Sequence, residues 1–253
     1  MATYRWDDST QPTRWPVRTY KEKLDALLEE CAFDAALEYV KTFETPEQRF
    51  VGLFMVFMEA EIQQAHVLAA RLYPEIKCQG AGPRLLSWLF SAVAMGADLP
   101  MMKQFVADGV KPTEKDLQTA MFAQDGLLSH PPQENALACI HYLLSQPNLP
   151  GRALVRHADN VPRAAMVKLL IAASTQDVIN EALVVALANP HMNLPRPGAE
   201  PTAHERDYEQ VLTHLSKRAT PGIQERAKES VKNQRKPGKS AWLQAHMGAM
   251  PRE

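Results

Sequence analysis

The sequence has little of what small stapled folds, membrane proteins and common enzyme families rely on. Three cysteines, Cys31, Cys78 and Cys139, are an odd number in 253 residues, and each lies in or beside a helical pattern. That fits a reducing cytoplasm better than a disulfide framework, and free, packed thiols are the expectation. Eleven glycines are spread thinly. Gly238-Lys239-Ser240 has the end of a phosphate-binding loop, but Asn233 stands where its first glycine belongs and no strand pattern precedes it. G-x-S-x-G, H-E-x-x-H and C-x-x-C are all missing, which removes the common hydrolase and zinc signatures. His157 and Asp159, with His130 far upstream, form only a weak acid/base grouping. No apolar run is long enough to cross a bilayer, since the most apolar window, residues 85–102, is broken by Gly96, Asp98 and Pro100. The first eighteen residues place acids and prolines where a secretory signal needs an apolar core. The reading is a cytoplasmic, non-enzymatic chain without cofactor or membrane contact.

What is present is helical periodicity on a 45% hydrophobic background. In residues 83–109, Leu85, Leu86, Leu89, Phe90 and Val93 form one stripe. Gly96 frees a turn, Asp98 caps, Pro100 fits a first helical turn, and Met101, Met102, Phe105 and Val106 form a second stripe ending at Gly109. Such a hairpin cannot bury its faces alone, so stacked neighbours are implied. Upstream, Leu24, Leu27 and Leu28 pair with Phe33, Ala36, Leu37 and Val40. Phe50, Leu53, Phe54 and Phe57 then pair with a helix through Ala65, Ala69 and Leu72, closed by Pro74. Downstream, helices are expected around Leu117, Leu143, Leu170, Leu183 and Leu212, with a polar insertion at LSHPPQE. The positions Leu37, Leu72, Phe105, Leu143 and Leu170 are separated by 35, 33, 38 and 27 residues, near the roughly 33–34 residues of two-helix repeats.

These features predict an all-α fold of stacked antiparallel helix pairs, an α-solenoid with a flexible basic C-terminal tail. The divisions are an arm at 1–19, a hairpin-repeat domain at 20–190, a loop and terminal helix at 191–216, and the tail at 217–253. Net charge is −1, but from Lys217 onward nine Lys and Arg face three Glu, leaving +6 on the tail and −7 on the body.

The run from Gly96 to Gly109, GADLPMMKQFVADG, resembles the second half of an ankyrin repeat, and MVKLLIAAS at 166–174 looks like another. The Thr-Pro-Leu-His opening of ankyrin first helices is replaced by Ser87-Trp88-Leu89-Phe90 and Leu117-Gln118-Thr119-Ala120. Phe33 to Val40 followed by Pro46 is similar to a tetratricopeptide second helix, and Gly109 to Thr113 to a pentatricopeptide junction. The ankyrin resemblance implies a protein-binding scaffold whose first helices line the contact surface, with Trp88, Ser91, Gln118, Phe122 and Arg152 as contact residues. Two alternatives stand beside it. One is a nucleic-acid binder placing Lys228, Lys232, Arg235, Lys236 and Lys239 on phosphates, and the other a secreted bacterial effector that binds a host protein.

Overall fold

The computed structural model describes residues 18–125, 135–146, 149, 151–160, 163–195, 198–232 and 237–247. Among them the regular elements are fourteen helices, with no strand. The chain divides into two compact units, residues 1–146 and 147–253. The division falls inside the span 20–190 that periodicity joins, because the helices of residues 20–144 pack among themselves and those after residue 153 among themselves.

The first unit contains α1 (Arg18–Glu29), α2 (Phe33–Lys41), α3 (Pro46–Ile62), α4 (His66–Cys78), α5 (Pro83–Gly96), α6 (Leu99–Ala107), α7 (Glu114–Asp125) and α8 (Ala136–Leu144). Local chemistry sets several starts. Thr45 and Gln48 form a reciprocal capping box before α3, and Pro46, Pro83 and Pro100 occupy first-turn positions where no backbone N–H is needed. Odd helices pack in sequence, α1 on α3, α3 on α5 and α5 on α7, while α2, α4, α6 and α8 each lie against the helix before them. Phe57, Phe90, Phe105 and Tyr73 form an aromatic seam, with Phe105 4.3 Å from Tyr73 and 6.0 Å from Phe90, centroid to centroid.

The turns between paired helices repeat. Cys31, Gln64 and Ala97, each 33 residues after the last, adopt left-handed φ values of 54°, 61° and 57°. In every case the next N–H reaches back five residues: Ala32 to Leu27 O, Ala65 to Ala60 O and Asp98 to Val93 O, at 2.8, 2.7 and 3.2 Å. This satisfies a carbonyl of the ending helix. The following helices start at Phe33, His66 and Leu99, in the same register.

Three expectations are corrected here. Gly96 is not the turn residue; it is the last residue of α5, and a Cβ there would lie 2.2 Å from the Glu61 carbonyl oxygen, so its bareness permits two turns to touch. Pro74 does not close α4, which runs on to Cys78 and thereby buries Ile76 completely. Cys31 and Cys78 are exposed rather than packed, since each stands at a helix end, whereas Cys139 is buried. Residues 1–17 of the arm read at 1–19, with its two tryptophans, and the LSHPPQE insertion lie outside the described residues, while Arg18 and Thr19 already belong to α1.

The second unit contains α9 (Ala153–Asn160), α10 (Ala164–Ala173), α11 (Gln176–Ala188), α12 (Ala203–Ser216), α13 (Pro221–Lys232) and α14 (Pro237–Met247). Helix α11 packs on α9, α12 and α13, and α14 packs on α13. The segment read as a flexible tail is thus helical over most of its length. Its apolar residues are few but well spaced, and Ala227, Val231, Trp242 and Leu243 are all buried. The net positive charge concealed that pattern. Gly238 fits only because it has no side chain, as a Cβ would sit 2.4 Å from Leu194 O.

Candidate functional site

Four of the five predicted contact residues belong to the first unit. Trp88 on α5 and Phe122 on α7 are each 38% exposed, on helices that pack against each other. Arg84 holds its guanidinium 5.6 Å from the Trp88 ring. Ser91 is placed differently from expectation. Its hydroxyl donates to Asp116 Oδ1 at 2.6 Å, and Asp116 Oδ2 in turn accepts from the Thr113 N–H and hydroxyl, so Ser91 ties α5 to α7 instead of facing a partner. Gln118 is half-buried. Arg152 stands in the second unit, where it is ion-paired with Glu181.

The proposed phosphate contacts do not assemble. Lys228 pairs with Glu225 at 2.7 Å. Lys239 is completely buried, its ammonium donating to Leu187 O at 2.8 Å and Asn189 O at 2.6 Å, where it caps the negative end of α11. Tyr208 donates to Ala186 O at 2.6 Å beside it. Lys239 is therefore a structural cation, and its reading as a phosphate contact is overturned. Arg235, Lys236 and the side chain of Lys232 lie outside the described residues. His157 is also structural: it is buried, and its Nε2 accepts from the Arg163 N–H at 3.1 Å. Burial pushes its pKa down to about 4, against the opposing charge of Asp207.

The most distinctive polar grouping escaped the sequence reading. Glu61 at the end of α3, His66 at the start of α4 and Asp98 before α6 meet where the second and third turns touch across Gly96. His66 Nδ1 lies 3.2 Å from Glu61 Oε2 and 3.4 Å from Asp98 Oδ2. Asp98 uses its other oxygen, Oδ1, to accept from the Met101 N–H at 2.9 Å, which fixes its rotamer. Glu61 is wholly buried, and its Oε1 has no hydrogen-bond partner. Burial drives the Glu61 pKa up, partly offset by the His66 hydrogen bond, while that same bond raises His66. Cys139, buried and influenced by the charges of Asp98 and Glu61, has its thiol pKa raised to about 12, chiefly by desolvation.

The signal that exposes this grouping is the 33-residue register. Residues in the place of Glu61 are Leu28 and Ala94, those in the place of His66 are Phe33 and Leu99, and those in the place of Asp98 are Ala32 and Ala65. Polar side chains there are peculiar to this one junction.

Comparison with known proteins yields no match to any family model, curated protein or solved structure. No helix among the described residues is long and apolar enough to cross a membrane.

Proposed function

We propose that the chain is a non-enzymatic protein-interaction scaffold of stacked, ankyrin-like helical hairpins, working in the cytoplasm. The repeated turn geometry at Cys31, Gln64 and Ala97 supports the stack. The observation that carries the functional reading is the exposure of Trp88 and Phe122 on neighbouring odd-numbered helices. Burying large aromatics stabilises by about 1.5–3 kcal/mol each, so leaving two of them partly in water costs stability that a partner would recover. Trp is also the residue type most enriched among binding hot spots. Nucleic-acid binding through the C-terminal basic residues is the weaker reading, because Lys239 is committed to α11 and Lys228 to Glu225.

The test is capture of partners from the cell of origin with the full-length chain, comparing wild type with Trp88→Ala and Phe122→Ala. Loss of a protein partner in either variant, by roughly 2–4 kcal/mol of affinity at a hot spot, with retention at high salt, supports the scaffold. Capture of nucleic acid with a steep salt dependence, and indifference to both substitutions, contradicts it. Deleting residues 217–253 is not a usable control, since it removes buried core from the second unit.

A further inference from the structure

The Glu61, His66 and Asp98 junction combines two features that the rest of the molecule does not explain. The first is charge. With a neutral imidazole the group carries two negative charges, and with an imidazolium it still carries one, inside a site where Glu61 has no access to water. Buried ionised groups need a counter-charge. None of the residues at equivalent register positions, Leu28, Ala94, Phe33, Leu99, Ala32 and Ala65, is ionisable, so the hairpin design does not require acids here. The second is the unpartnered, fully buried Glu61 Oε1. A protonated carboxyl does not resolve it, because a proton on Oε2 engages His66 and leaves Oε1 as an unmet acceptor, while a proton on Oε1 has no acceptor.

We propose that Glu61, His66 and Asp98 bind one divalent transition-metal cation of the zinc class, with solvent completing the coordination. A dication balances the two carboxylates and a neutral imidazole, and it would give the buried Oε1 a partner where Glu61 chelates it through both oxygens. One donor atom from each residue lies within 4.8 Å of the others. Metal–ligand bonds of ~2.0–2.1 Å in tetrahedral zinc sites set ligand-to-ligand edges of about 3.3 Å. The observed His66-to-carboxylate separations are 3.2 and 3.4 Å. The mixture of imidazole and carboxylate favours zinc and its neighbours over calcium or magnesium, which take oxygen donors alone. Outer-shell support exists in the Met101 N–H that orients Asp98. His66, 30% exposed in its side chain, provides the route from solvent. Gly96 makes the site by letting the two turns approach, so the cation would pin the second hairpin to the third.

The experiment uses the full chain, stripped with chelator and dialysed against Zn²⁺, with metal content and titration calorimetry as readouts. One zinc per chain is expected, with affinity reduced roughly a hundredfold or more in Glu61→Gln and Asp98→Asn, since even outer-shell changes cost about 10–100-fold. Cobalt substitution should give d–d bands without a thiolate charge-transfer band, which separates this site from adventitious binding at the exposed Cys31 and Cys78. The unfolding temperature of wild type should rise with zinc. Circular dichroism checks each variant, and if Glu61→Gln loses its helices, His66→Gln alters a side chain that is already partly exposed. Failure of wild type to retain zinc, equal retention by correctly folded variants, or a thiolate band with cobalt each overturns the assignment. None of these results bears on whether Trp88 and Phe122 contact a partner.

Discussion

The two units differ in how one buried ionisable group of each is satisfied and in where large apolar side chains are exposed. In the second, Lys239 is surrounded by the terminal carbonyls of α11, and His157 accepts a backbone N–H. In the first, Glu61 keeps one buried oxygen without a partner. The four large apolar side chains most exposed among the described residues, Val67, Trp88, Phe122 and Leu137, are all in the first unit. A fold tolerates such departures where they serve something other than stability. Under the proposed scaffold reading, this difference would place partner contact in the first unit and give the basic segment of the second an architectural role.

The largest expected effect is at the aromatic seam. Phe105→Ala should cost about 3–5 kcal/mol in denaturant unfolding, because Phe105 is fully buried against Tyr73, Phe57 and Phe90. Lys103→Ala in the same helix is exposed and should be nearly silent. Comparable small losses at both would mean that α6 presents a different face.

In the second unit, Lys239→Met should destabilise by roughly 2–4 kcal/mol, as it leaves the Leu187 and Asn189 carbonyls dry and unmet. Lys228→Ala, which breaks an exposed pair, should stay within about 0.5 kcal/mol. A silent Lys239→Met would return the segment to the status of a charged appendage. Acid provides a related check. His157 has a folded pKa of about 4, below its ordinary 6.5. Its contribution is therefore complete above pH 6.5 and is lost as pH falls through that window, by at most about 3 kcal/mol. Replacing His157 with Gln should flatten this part of the pH–stability curve, and an unchanged curve would show that another group carries it.

The smallest effect concerns thiols. Cys31 and Cys78 should label quickly in the native protein, and Cys139 only on unfolding, given its burial and a pKa near 12. Equal rates at all three would remove Cys139 from the core.

Much of the first unit was legible in the sequence because helix faces obey one period. Leu89, Phe90, Met102 and Phe105 are buried as their spacing predicts, and Asp98 caps α6 as its position before Pro100 predicts. The junction of Glu61, His66 and Asp98 was not legible, since it joins three elements and follows no spacing on one helix. It becomes visible only once the left-handed residues at 31, 64 and 97 set the register. The C-terminal helices were missed for a different reason. Ala227, Val231, Trp242 and Leu243 are sparse among charges, and Lys239 is a core residue whose partners are backbone carbonyls far upstream. Of the contact candidates, exposure favours Trp88 and Phe122, whereas Ser91 is spent on Asp116.

The assignment of interaction to the first unit is tested most directly by site-specific photocrosslinking in the cell of origin. Full-length chains carrying p-benzoylphenylalanine in place of Trp88, Phe122 or Lys228 would be irradiated and their adducts identified. Protein adducts from positions 88 and 122, with none from 228, are the predicted result. Adducts from 228 alone, or adducts to nucleic acid, would contradict it.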